Sequence, residues 1–348
     1  MRVLVGVAKE TMTPRISILM PVFNGEQLLE RALQSLLRQS FADFEIIILD
    51  NLSTDSTPLI CQRLAQQDHR INYVRDTQHR TTHEAANYLM GLAQREYCIS
   101  ACDDDLWEPE LLEVLVGLIE ADPTAGIAVA NCRSIDLDDR YVGRPFLRKQ
   151  EIFLMKLGPF FFWWSYLVKR NVVPIIFALF RTDVWKRSSS FETFDWTGAD
   201  VDNLFVLNVA TDHKVVITER VLFGYRAKTR PKPPGKKNTF WSESWNHYRY
   251  FVPHQVLFTR KLIDVLRNSK FNFAQQSVLY LRIIWSFLAQ ILFMFPIGFV
   301  LNIVRRDQNN DLLDMTIAST RLASLEQQKN ITGYLWMSPS AEEKNPEK

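Results

Sequence analysis

Three carboxylates in a row, Asp103-Asp104-Asp105, follow the apolar run Tyr97 to Ala101 and precede Pro109, which opens a helical pattern reaching Glu120. Adjacent carboxylates repel one another, so such a run is either fully solvated or held together by a cation. A divalent ion with hard oxygen ligands, bridging to phosphate groups, would meet that need. A plainer reading competes with it, since acids favour the first turn of a helix through the macrodipole. A second turn, Asp50-Asn51-Leu52-Ser53, closes the apolar run Phe44 to Leu49. It offers a carboxylate and an amide to a ligand, or Asp50 and Ser53 simply cap the next helix. Asp200 and Asp202 open a third helical stretch, Ala199 to Ala210, where Asp200 could equally serve as an N-cap.

The elements around these acids alternate. Arg15 to Val22 reads as a strand, and Glu26 to Arg38 as a helix with one apolar face through Leu28, Leu29, Ala32, Leu33, Leu36 and Leu37. Phe44 to Leu49 is a strand, Pro58 opens a helix, Ile71 to Val74 is a strand and Glu84 to Gln94 a helix. Tyr97 to Ala101 and Ile127 to Ala130 are further strands. Near-continuous apolar strands between helices imply a mostly parallel sheet covered on both faces. Ligands of such sheets bind beyond the carboxyl ends of the strands, where Asp50 and the acidic run both fall.

Beyond about residue 140 the pattern changes. Glu151 to Val168 contains Phe160-Phe161-Phe162-Trp163-Trp164, which is core, a sugar-stacking surface or a membrane-interface stretch. Ile175 to Phe180 reads as a strand and Lys214 to Tyr225 as extended chain. Lys228 to Asn238 is a Pro/Lys linker or loop that could fold over an anion, and the rest is helical. Ile283 to Val304 carries no formal charge, so it could span a bilayer, lie on one, or pack in a dimer.

The 348 residues carry 41 basic and 39 acidic side chains, a net +2, which gives no reason to expect nucleic acid. Four cysteines without a CxxC pair read as reduced thiols of a cytoplasmic protein, and the N-terminus does not read as a secretory signal. No GxGxxG is present, which excludes a dinucleotide oxidoreductase in practice.

Taken in order, Pro21-Val22-Phe23-Asn24-Gly25, Phe44 through Asp55, Asn87, Glu96-Tyr97 and the Asp run with Trp107 and Pro109 resemble the family 2 glycosyltransferases with the GT-A fold. Phe180-Arg181, Gly198-Ala199-Asp200 and Gly224-Tyr225-Arg226 resemble that family's acceptor half. The resemblance implies an α/β GT-A domain over residues 14–230, with 14–135 the nucleotide-sugar half and 136–230 the acceptor half. A helical region follows over 240–336, and 337–348 is a disordered tail. It also implies an inverting transfer from a nucleotide-diphosphate sugar, with UDP the expected nucleotide, to a saccharide or lipid-linked acceptor.

Carried over residue by residue, Pro21, Phe23 and Asn24 line the base pocket, and Asp50 and Asn51 contact base and ribose, Asn51 standing where the family often has a second Asp. Arg80 reaches the nucleotide. Asp103 and Asp104 belong to the donor site, and Asp104 with Asp105 holds Mn²⁺ or Mg²⁺. Cys102 occupies the place where many members carry the first acid of Asp-x-Asp, for which Asp103 could compensate. Asp200 is the implied general base and Asp202 the runner-up. The expected setting is cytoplasmic, at the inner face of the membrane, with a homodimer open. No Gln-x-x-Arg-Trp is present, so a processive synthase is disfavoured. The rivals are a sugar-nucleotide nucleotidyltransferase, which lacks its Gly-rich loop here, and a non-catalytic glycan-binding scaffold.

Overall fold

Two strands of branched aliphatic residues form the centre of the molecule: β1 (Ile16–Val22) and β2 (Phe44–Asp50), which pair parallel with Val22 opposite Asp50. Every residue of β2 is buried, as a strand covered by helices on both faces must be. The computed structural model describes residues 14–169, 173–187, 201–226 and 240–289. After β1 and β2 come β3 (Ile71–Arg75) and β4 (Tyr97–Ser100), linked by α1 (Leu29–Leu37), α2 (Thr57–Gln67) and α3 (Thr82–Leu92). Helix α1 buries Leu29, Ala32, Leu33 and Leu36, the apolar stripe legible in the sequence. Helix α3 opens with a capping box in which Thr81 and Glu84 satisfy each other's backbone N–H groups, so the chain just before it has a fixed entry.

The next elements are β5 (Leu106–Trp107), α4 (Leu111–Glu120), β6 (Ala125–Ile135), β7 (Tyr141–Val142), α5 (Lys149–Lys156), α6 (Pro159–Lys169), α7 (Val173–Ile176), β8 (Leu179–Arg181), α8 (Thr182–Arg187), α9 (Val201–Asp212) and β9 (Lys214–Arg226). The sheet order is β3-β2-β1-β4-β8-β6-β9-β5, with β7 on β6. Pairing is parallel from β3 through β4 and again between β6 and β9. It is antiparallel where β8 meets β4 and β6, where β5 meets β9 and where β7 meets β6. The sheet is therefore mixed, and the expectation of a mostly parallel sheet holds for its first half. Parallel neighbours need a long crossover, usually a helix, whereas β8 enters the sheet from short α7 and β5 is two residues long.

The strand expected over Ile175 to Phe180 is a second correction. Val173–Ile176 is helical and only Leu179–Arg181 is strand. Residues 175–180 are all buried, and a short, uniformly buried run has no period to separate helix from strand. The aromatic stretch forms α6, with Phe162, Trp163 and Tyr166 in the core and Trp163 Nε1 donating to Thr211 Oγ1 at 2.9 Å. Helices α10 (Phe240–Arg267) and α11 (Phe273–Ala289) follow, with Phe258, Leu262, Leu266, Leu279 and Ile283 buried. On another face of α11, Val278, Leu281, Ile284, Trp285 and Leu288 are exposed. Among the described residues no helix is long and apolar enough to cross a membrane. The basic loop at 228–238, most of 283–304 and the tail at 337–348 lie outside the described residues.

Candidate functional site

The carboxyl ends of β1, β2, β3 and β4 lie side by side, tied by Asn51 N to Val22 O (2.9 Å), Asp76 N to Asp50 O (2.9 Å) and Ala101 N to Leu19 O (2.9 Å). Pro21 is tolerated in this central strand because the β1–β4 ladder has already ended at Leu19 opposite Ser100. Beyond it Asn24 takes a left-handed conformation (φ 51°) and Leu52 does the same after β2 (φ 62°), folding both chains into tight turns. The turns are stitched together. Asn24 N donates to Ser53 Oγ at 3.0 Å, Thr54 N donates to Asn24 Oδ1 at 2.9 Å, and Gly25 N donates to Thr57 Oγ1 at 2.8 Å.

Asp50 is fully buried. Its oxygens accept from Ser53 N at 2.8 Å and Tyr73 Oη at 2.7 Å, with Arg75 Nε 4.0 Å away. Burial first, and the bond to Asp50 next, push the Tyr73 phenol well above its ordinary range. Asn51 donates through Nδ2 to Arg80 O and accepts at Oδ1 from Arg80 N, both at 2.7 Å. Those polar groups are engaged within the protein and tie the two turns together. Phe23 is 44% exposed and meets His79 edge to face, 5.1 Å between ring centroids. The Arg80 guanidinium lies 4.4 Å over the Tyr88 ring and bonds Asp76, which it holds below the usual carboxylate range together with the Thr77 and Gln78 amides, against the upward pull of desolvation. Phe23, Asn24 and His79 are exposed beyond the strand ends, with Arg80 half-buried beside them.

The acidic run lies against the first of these turns, Asp103 Oδ2 beside Gly25. Asp103, Asp104 and Asp105 are all buried and Cys102 is half-buried. The ligand atoms of Cys102, Asp104 and Asp105 all lie within 4.8 Å of one another. Donor atoms on opposite sides of one ion stand about 4.4 Å apart, so these three are nearly placed to share one. Asp103 is not in that group. Its Oδ2 lies over Gly25, where an added Cβ would stand 2.4 Å from it, so glycine is needed there for the close approach. The set expected to be all oxygen thus contains a sulfur, and the compensation looked for from Asp103 is absent from this cluster.

The acidic run is held by the end of β9. Arg226, buried at the end of β9, donates its N–H to Asp105 Oδ1 and its Nε to Asp104 O, both at 2.7 Å. Its other nitrogens bond Asp136 O and Asp139, and Arg31 also meets Asp139 at 3.1 Å. Tyr225 is pushed far up, by burial first and then by Asp105, Cys102 and Asp104. Trp107, next to the run, is core, stacked on Phe223 at 5.2 Å. Asp200 lies outside the described residues, while Asp202 is half-buried in the first turn of α9. Tyr73 and Asp76 escaped the sequence reading, and Arg226, read there only within the Gly224-Tyr225-Arg226 block, was given no part at the acidic run. Asp76 had a signal, standing directly after a strand, but Arg226 lies 121 positions from the acid its backbone binds and had no local one.

Against known proteins, residues 17–174 match the family model for glycosyl transferase family 2. A putative colanic acid biosynthesis glycosyl transferase, WcaA of Escherichia coli (strain K12), is 39% identical over 103 residues, 30% of this chain and 37% of the relative. Across three such relatives the match spans 33–42% of their length. Among solved structures, S. aureus TarS 1-349 in complex with UDP superposes with a TM-score of 0.58 at 14% identity, covering 92% of this chain and 89% of that one. A mannosyltransferase from Pyrobaculum calidifontis, PcManGT, in complex with GDP-Man and Mn²⁺, gives 0.53 at 15% identity, covering 94% and 89%. At such identities these structures establish the shared fold.

Proposed function

We propose, from the premise that this chain belongs to glycosyl transferase family 2 through residues 17–174, that it transfers a sugar with inversion from a nucleotide-diphosphate donor to a saccharide or lipid-linked saccharide. The observation that carries this reading is the convergence of Cys102, Asp104 and Asp105 at the carboxyl edge of the sheet, beside the turn walled by Phe23 and Asn24. In it, Pro21, Phe23 and Asn24 line the base pocket, Asp50 and Asn51 contact base and ribose, and Arg80 reaches the nucleotide. The carboxylates of Asp104 and Asp105 fit a divalent cation, Mn²⁺ or Mg²⁺. Such an ion, when bound, supplies positive charge against the diphosphate leaving group. UDP as the nucleotide is supported by the UDP-bound TarS structure of the same fold.

The transfer needs one carboxylate on the face of the sugar opposite the leaving group. Asp200 takes that part: its carboxylate accepts the proton of the acceptor hydroxyl as that oxygen attacks the anomeric carbon. The exposed face of α11 (Val278, Leu281, Ile284, Trp285 and Leu288) supports placing the helical region on the inner face of the cytoplasmic membrane, where a lipid-linked acceptor would be presented. A homodimer covering the same face is the competing outcome.

Calorimetry of UDP with and without Mn²⁺ is the test. Wild-type affinity should rise with the ion and Asp104→Ala should lose that rise; an unchanged metal dependence in Asp104→Ala would sink the assignment. Asp200→Asn should bind donor normally and lose roughly 10²- to 10⁴-fold in turnover. If Asp202→Asn is the inactive variant instead, the two roles exchange. A wild-type protein that binds UDP yet neither hydrolyses nor transfers any donor sugar would be a binding scaffold. Co-sedimentation with anionic lipid vesicles, compared between the full chain and Trp285→Glu, separates membrane from dimer.

A further inference from the structure

We propose that Cys102 is itself a ligand of the cation and that its sulfur biases the site toward softer divalent ions and away from Mg²⁺. The inference rests on the donor-site reading above and deepens it. Two observations point to the thiol. The Cys102 Sγ lies with the Asp104 and Asp105 oxygens in one group whose members are all within 4.8 Å. The alternative third acid, Asp103, is committed elsewhere, with its Oδ2 against Gly25 so closely that even a methyl group there would meet it at 2.4 Å. Asp103 thus sits against the turn that Gly25 N anchors to Thr57, outside that group.

Cys102 is also placed differently from its fellow thiols. Cys61, Cys98 and Cys132 are buried among strands and helices, whereas Cys102 is half-buried in the loop at the carboxyl edge of β4. Binding breaks the Sγ–H bond, forms an Sγ–metal bond and releases the proton to water, with no electron transferred. Hard oxygen sites accept Mg²⁺ and Mn²⁺ with little preference, but a thiolate strengthens binding along the series from Mn²⁺ toward Co²⁺ and Zn²⁺ and contributes little to Mg²⁺. The substitution at this position therefore changes which ion the site selects, not whether a site exists.

Cobalt reports the bond directly. The full chain with UDP is titrated with Co²⁺ while near-ultraviolet absorbance and heat are recorded together. A sulfur-to-cobalt charge-transfer band should grow in step with binding. It should vanish in Cys102→Ser, and in Cys102→Asp, which completes an all-oxygen set, Co²⁺ should still bind without the band and Mg²⁺ should compete better than in wild type. Co²⁺ binding by the wild type with no band overturns the role of Cys102 and leaves the carboxylate site standing. A band that persists in Cys102→Ser assigns the sulfur to another cysteine and also overturns it. Failure of the wild type to bind Co²⁺ or Mn²⁺ with UDP at all removes both readings together. The wild-type titration can refute the role by itself, and Cys102→Ser and Cys102→Asp together assign the sulfur.

Discussion

Replacing Arg226 by methionine removes a buried guanidinium while keeping most of its stem, and the cost can be worked from its bonds. The side chain is 3% exposed and bonds Asp104 O, Asp136 O and Asp139. Hydrogen bonds to a charged group are each worth about 1.5–3 kcal/mol, but three made by one group do not add. Removing one partner of a buried ion pair costs about 3–5 kcal/mol because a charge is left behind. Here that penalty is reduced, since Asp139 is 30% exposed and Arg31 still holds it. Arg226→Met should therefore destabilise by roughly 3 kcal/mol. Arg226→Lys keeps the charge without the planar fork and should fall between. Urea unfolding at neutral pH reads this as a lower midpoint with unchanged slope. The same variant should lose part of the metal-dependent UDP affinity, because the Nε bond that holds the Asp104 carbonyl goes, while the backbone N–H of residue 226 still meets Asp105. A midpoint within about 0.5 kcal/mol of wild type, the range of an ordinary surface change, would refute the bracing argument.

Gly25→Ala puts a Cβ 2.4 Å from Asp103 Oδ2 and 2.9 Å from Val22 Cγ2, so it should cost about 1–3 kcal/mol of overpacking and weaken UDP binding; a variant with wild-type melting and affinity would show that the loop yields freely. Burial pushes Cys61 and Cys98 up to about 12 and raises Cys132 as well, so in the folded protein only Cys102 should react promptly with a thiol reagent, against four in denaturant. Two or more fast native thiols would contradict this packing. Asp122 is held at about 2, below the ordinary 3.8, first by Lys214 and then by Thr124. A depressed folded pKa means that its stabilising contribution is present above about 4 and is lost as pH falls toward 2. In Lys214→Met the Asp122 carboxyl resonance should titrate nearer its ordinary value; an unmoved titration would deny the ion pair in solution.

The first half of the molecule was legible because its information is local. The runs at 16–22 and 44–50 are too apolar to be anything but covered strands, α1 announces its buried stripe at helical spacing, and the acids follow the strand ends directly. Strand-end position alone sufficed to bring Asp50 and the acidic run to one edge. What the chain order could not carry was the fate of individual polar atoms. Nothing local says that Asn51 closes on the Arg80 backbone, or that Asp50 answers to Tyr73. Three adjacent acids look equivalent in sequence, yet successive side chains point different ways, so packing against Gly25 takes Asp103 out of the cluster and leaves Cys102 in it. The mixed pairing of β8 and β5 and the helical start of 173–180 were likewise decided by what surrounds them. Hydrophobic periodicity fixes which face of an element is buried, because every residue takes part in it. A site's bonds depend on single contacts between positions as far apart as Arg226 and Asp104, and only the folded chain brings those together.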